Sequence, residues 1–220
     1  MYTTVNDVDL YYECYGQGDE LLFIPGNGTS FKYMLRLAKL LSKEYKVYLV
    51  DRRGQGKSTK KCELSYELNV QDIYEFIQKL NITKPVIIGH SGGAVIAMAL
   101  GLKYKHVVNK IILCSGATNL KATNPKYIKK WKLYSKFRII NPKIIDMVLA
   151  QQDLREGLKE ITAKTLVLAG GKDIINREDT HTIARLIPDS KLKIYEKENH
   201  SSYITNTTCY KDIINFLKED

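Results

Sequence analysis

Short apolar runs recur along the chain, separated by longer stretches whose apolar residues fall three or four positions apart. The runs at residues 46–50, 86–88, 111–113, 166–168 and 192–195 are rich in Val, Ile and Leu and have the length of buried strands. Between them lie helical patterns such as residues 65–80. A final amphipathic segment carries Ile213, Ile214, Phe216 and Leu217 on its apolar side. Strands alternating with helices predict an α/β fold, with a mainly parallel central sheet and helices on both faces. The alternation at residues 8–12 adds an antiparallel start. With 220 residues and no Pro/Gly/Ser-rich linker, the chain is expected to form one domain over residues 1–220.

One junction in this pattern carries chemistry. Gly89-His90-Ser91-Gly92-Gly93 follows an apolar strand and precedes an Ala-rich helical stretch, so a Gly-x-Ser-x-Gly motif sits where strand turns into helix. Such a turn projects the Ser91 hydroxyl beyond the carboxyl edge of the sheet. It also puts the N–H of Gly92 at a helix N-terminus, where unpaired donors favour an anion. Without further partners the same five residues would be only a tight turn.

A nucleophilic serine needs a base, and the base needs an orienting acid. Of the four histidines, His90 belongs to the turn itself, while His106 and His181 fall on charged helical surface. His200 follows the run at 192–195 and the polar Glu196-Lys197-Glu198-Asn199, read as a loop, which places it at a strand's carboxyl end. Asp173 holds an equivalent place after the run at 166–168 and Gly170-Gly171-Lys172. Ser91, Asp173 and His200 therefore stand in the order nucleophile, acid, base, each beyond a different strand.

That order, with Asp51-Arg52-Arg53-Gly54-Gln55-Gly56-Lys57-Ser58 and Leu21-Leu22-Phe23-Ile24-Pro25-Gly26-Asn27-Gly28, resembles the α/β-hydrolase superfamily over nearly the whole chain. The resemblance implies a serine hydrolase of the carboxylesterase type, acting on an ester or thioester through an acyl-enzyme on Ser91. It implies a second oxyanion donor at the N–H of Asn27, with Gly28 as the alternative, because Pro25 stands where the family usually carries His. Asp51 is assigned a structural task in its turn. The same scaffold also serves carbon–carbon bond hydrolases, lyases and perhydrolases, and a small-molecule sensor could keep the triad without turnover.

Composition then narrows the partners. Between the runs at 111–113 and 166–168 the resemblance implies a cap, here a short one at about residues 117–160, which suggests a shallow site or a small substrate, with Trp131 and Tyr134 as candidate contacts. Residues 117–143 hold eight of the chain's Lys and Arg residues and no Asp or Glu, in a protein of net charge +10. Tyr127, Ile128, Trp131, Leu133, Tyr134 and Phe137 are interleaved with them as one candidate core-facing stripe. The plain reading is a solvated lid. The sharper readings are attraction of anionic substrates such as acyl thioesters, or contact with an acidic membrane surface. No nucleic-acid-binding module surrounds the basic patch. Cys14, Cys62, Cys114 and Cys209 form no Cys-x-x-Cys pair, so no metal is expected, and Gly54-Gln55-Gly56-Lys57-Ser58 is too short for a phosphate loop. No cofactor is implied. Residues 1–7 lack a secretion signal and no apolar run reaches membrane-spanning length, so a cytoplasmic protein is expected.

Overall fold

The computed structural model describes residues 1–219. In chain order its elements are β1 (Tyr2–Val5), β2 (Val8–Tyr15), β3 (Glu20–Ile24), α1 (Leu35–Leu41), β4 (Lys46–Val50), α2 (Tyr66–Lys79), β5 (Val86–His90) and α3 (Gly92–Lys103). There follow β6 (Lys110–Cys114), α4 (Pro125–Lys136), α5 (Pro142–Leu149), β7 (Lys164–Lys172), α6 (Arg177–Leu186), β8 (Ser190–Asn199), α7 (Ser202–Thr205) and α8 (Tyr210–Leu217). The eight strands form one sheet in the order β1-β2-β4-β3-β5-β6-β7-β8. Only β2 runs against its neighbours, pairing antiparallel with β1 and β4; every later pairing is parallel.

Strand periodicity divides the core into two layers. Leu22, Ile24, Ile87, Ile111, Leu113 and Val167 point to the face covered by α2, α3 and α6. Their neighbours Leu21, Phe23, Ile88, Ile112, Leu166 and Leu168 point to the face covered by α1, α7 and α8. All these side chains are buried, so the central strands read as continuous apolar runs, as strands covered on both faces must. Ser65 caps α2 by accepting from the N–H of Leu68.

The last two strands run longer than their apolar runs. β7 continues through Gly170-Gly171-Lys172, and β8 continues through Glu196–Asn199, which the sequence pattern had placed in a loop. Their pairing reaches Gly170 with Tyr195 and, after a register shift, Lys172 with Asn199. β8 lies at the sheet's edge, with half of its residues exposed and only Tyr195 buried, so polar side chains there cost little in burial and hide the strand from a hydrophobicity reading. Asp173 and His200 consequently sit directly at the two strand ends.

The turn after β4 is fixed from within. Asp51 is buried and accepts from the N–H groups of Phe31 (2.9 Å) and Lys57 (2.8 Å), which confirms its structural task. A Cβ on Gly56 would overlap that carboxylate, so this position requires glycine. Arg53 is also buried and makes two hydrogen bonds to Asp72, at 2.5 and 2.8 Å.

α4 and α5 lie between β6 and β7, over the carboxyl ends of the strands. Here the expected single apolar stripe is corrected. Tyr127, Trp131 and Tyr134 are half-buried, whereas Leu133 and Phe137 are 52% and 67% exposed. The helix explains the split: residues 127, 131 and 134 recur at intervals of four and three, while Leu133, two positions from Trp131, points to the opposite side. No helix among the described residues is long and apolar enough to cross a membrane.

Candidate active site

Ser91 links β5 to α3 with φ 53° and ψ −118°, a backbone conformation that side chains other than glycine rarely adopt. Such strain costs about 1–3 kcal/mol and persists only where the surroundings enforce it. They do so here. Ser91 N–H donates to the carbonyl of Cys114 at 2.8 Å, and its own carbonyl accepts from Ala94 and Val95 at 2.9 and 3.2 Å. A Cβ on Gly93 would overlap the backbone of Ile24 and Pro25, so helix and strand meet at this point only through glycine. The hydroxyl takes no part in capping α3 and is left for other use.

Asp173 and His200 are joined by a hydrogen bond of 2.6 Å from Nδ1 to Oδ1. Asp173 Oδ1 also accepts from the N–H of Ile175 at 3.0 Å, and Oδ2 from the hydroxyl of Ser115 at 2.5 Å. Burial pushes the Asp173 carboxyl up, but the hydrogen bond and charge of His200, with those from Ile175 and Ser115, outweigh it and hold it below the ordinary value. The carboxylate is therefore ionised and surrounded by donors. Ser91 and His200 share no hydrogen bond among the described residues, yet both line one cavity of about 440 Å³. Serine–histidine contacts of this kind commonly tighten only with substrate present.

The cavity floor includes Gly26, Asn27, Ser91 and His200. Its roof comes from α4 and α5: Trp131 and Tyr134 lie there, with Tyr127, Lys130, Ile144, Ile145 and Val148 beside them. Asn27 lines the cavity and Gly28 does not. Gly92, the first residue of α3, lies directly behind Ser91, and a Cβ there would overlap the Asn27 side chain. That side chain is held at both ends, accepting from Arg52 Nη2 at 2.9 Å and donating to Tyr66 Oη at 2.8 Å. His106 and His181 are exposed, as the sequence implied.

The roles of three further residues around this site escaped the sequence reading. His90 is buried, and its Nε2 lies 2.8 Å from the carbonyl of His200. A carbonyl only accepts, so Nε2 carries the proton and Nδ1 accepts from Tyr33 Oη at 2.8 Å. Tyr33 Oη in turn accepts from the N–H of Gly26 at 2.8 Å. Burial, then the neighbouring His200, pull the His90 imidazole down to about 3, so it stays neutral and ties the Gly26 loop to the His200 loop. Its parity was the missed signal: residues 86, 88 and 90 share the sheet face that carries α1 and α7.

Ser115, at the carboxyl end of β6 with φ 50°, is the second. Its one proton goes to Asp173, so Tyr203 Oη, 2.7 Å away, donates to it in turn. Arg52 is the third. It is buried with only amide partners, Asn27, Asn69 and Gln55, and its Nε makes no hydrogen bond. Burial lowers its guanidinium to about 10, still cationic at neutral pH.

Comparison with known proteins agrees with this architecture. The alpha/beta hydrolase fold model matches residues 20–139. The chain is 27% identical over 172 residues to "sn-1-specific diacylglycerol lipase ABHD11" of Danio rerio, covering 75% of this chain and 54% of that protein. It thus spans about half the length of that relative. Among solved structures it resembles a thermophilic esterase from Thermogutta terrifontis, with TM-score 0.81, 20% identity and coverage of 96% and 93% of the two chains. A meta-cleavage product hydrolase from Pseudomonas fluorescens IP01 gives TM-score 0.78 and 20% identity, with coverage of 96% and 94%. Sheet order, the matched model and these likenesses together show that this chain belongs to the alpha/beta hydrolase fold family.

Proposed function

We propose that the protein is a serine hydrolase that cleaves a small carboxylic ester or thioester through an acyl-enzyme on Ser91. The observation that carries this is the strained Ser91 elbow opening on the same cavity as a histidine hydrogen-bonded to a buried, ionised aspartate. His200 Nε2 takes the Ser91 proton as Oγ adds to the carbonyl carbon, and Asp173 stabilises the resulting imidazolium. The N–H groups of Gly92 and Asn27 bind the oxyanion, each good donor contributing about 3–4 kcal/mol. The imidazolium then protonates the leaving group; water, deprotonated by His200, adds to the acyl carbon, and as the bond to Ser91 Oγ breaks the imidazolium returns that proton to Oγ and the acid leaves. Ile144, Ile145 and Val148 give the acyl group an apolar wall, and about 440 Å³ suits a small substrate.

A fluorophosphonate probe with a panel of short-chain esters and thioesters tests this reading. We expect covalent labelling on Ser91 together with turnover. Labelling without turnover on any member of the panel would leave a sensor or another acceptor chemistry.

Arg52 offers a second check, because its guanidinium fixes Asn27 from behind while touching no substrate. Arg52→Met removes the buried cation but leaves the side-chain oxygens of Asn27, Asn69 and Gln55 without that donor, so the melting temperature should fall modestly while the fold is kept. Activity should fall, by up to about 10²-fold in kcat if one oxyanion donor loses its place. Thermal melting and kcat measured side by side decide it; an unchanged kcat would remove Asn27 from the oxyanion site.

A further inference from the structure

The outer side of α4 and the corner that follows it form an unpartnered face of unusual composition. No residue of α4 is buried. The exposed large apolar side chains among the described residues are Met1, Tyr2, Leu133, Phe137 and Ile139, and the last three share this segment at 52%, 67% and 67% exposure. Leu133 and Phe137 lie one turn apart on a stripe with Lys126, Lys129 and Lys136. Arg138 takes φ 54° and turns the chain, so that the exposed Phe137 and Ile139 flank an exposed cation. Residues 117–143 contain no acid, and of their eight cations only Lys143 forms an ion pair among the described residues, with Glu63.

We propose that this face docks on an anionic lipid bilayer, with Leu133, Phe137 and Ile139 entering the headgroup boundary and the lysines on lipid phosphates. Apolar tips set among cations match the two layers of such an interface. A nucleic acid would engage the cations but leave the apolar tips in water. A second copy, brought face to face by a two-fold axis, would set one basic stripe against another. Lys130, Tyr134 and Ile140 line the cavity and alternate in sequence with the docking residues, so the bound face would bring the roof of the cavity to the lipid surface. This inference stands on the surface alone and does not depend on the chemistry at Ser91.

The test is sedimentation of the full chain with vesicles of phosphatidylcholine alone or mixed equally with phosphatidylglycerol. We expect binding to the mixed vesicles only, weakening as salt screens the cations. Leu133→Ser with Phe137→Ser, and separately Lys126, Lys129 and Lys136→Gln, should each lower the partition constant by about tenfold or more. None of these residues lines the cavity, so turnover of a soluble ester serves as the control for folding. Loss of binding in both variants supports the proposal. Equal binding to neutral vesicles, no binding at all, or binding indifferent to the apolar pair overturns it. A dimer that dissociates in the Phe137→Ser variant, without vesicle binding, would assign the face to a second copy.

Discussion

Ser91→Ala is expected to abolish fluorophosphonate labelling and lower kcat by about 10⁶-fold, as removal of one member of a coupled catalytic unit does, while leaving the melting temperature unchanged. The structure separates the two effects. Everything that enforces the positive φ at this position is backbone: the bond to Cys114, the bonds from Ala94 and Val95, and the close approach of Gly93 to Ile24. Alanine keeps the same Cβ and therefore the same strain. Only the hydroxyl is lost, and it makes no structural hydrogen bond. Labelling that survives would move the nucleophile elsewhere; a large fall in melting temperature would mean that the hydroxyl also holds the elbow.

The residues legible in the sequence were those whose chemistry depends on chain order and turn shape. Ser91 was marked by its glycines, and Asp173 and His200 by their places after strand-like runs, which the sheet register then brought to one edge. Parallel pairing is itself what makes this possible, since successive strand ends must collect on the same side. Contacts that depend on two distant segments meeting were not legible. Ser115 reaches Asp173 only because β6 and β7 are neighbours, and Tyr33 reaches His90 only because the turn before α1 comes to lie beside the end of β5. Arg52 is read from its surroundings alone: a cation beside turn glycines suggests surface, and only the fold shows it enclosed by amides. The amphipathic pattern of α4 failed for a different reason. Its apolar residues were counted as one face, although the helical angle between Trp131 and Leu133 sets them on opposite sides.

Asp173→Asn is the sharper test of how the site works, because it alters charge and tautomer while preserving shape. In the native site four donors converge on the carboxylate: His200 Nδ1 and the Ile175 N–H on one oxygen, the Ser115 hydroxyl and, at 3.4 Å, the Gly170 N–H on the other. An asparagine must turn its NH₂ toward one of these pairs. Facing His200, it forces the imidazole proton onto Nε2, where it blocks proton uptake from Ser91. Facing Ser115, it is tolerated only if that hydroxyl turns its proton to the carbonyl of His200, 3.0 Å away, and the negative charge that stabilises the imidazolium is still lost. Both arrangements slow the same step. The expected result is a fall in kcat of about 10⁴-fold, the loss seen when the orienting acid of a serine triad is made neutral. KM should change little, because Asp173 does not line the cavity. The controls lie in the cap, where Asp146 is exposed and Asp153 is committed to Arg155 and Asn119. Replacing either with Asn should leave kcat near the native value; if one of them reproduces the loss and Asp173→Asn does not, the acid has been assigned to the wrong strand end.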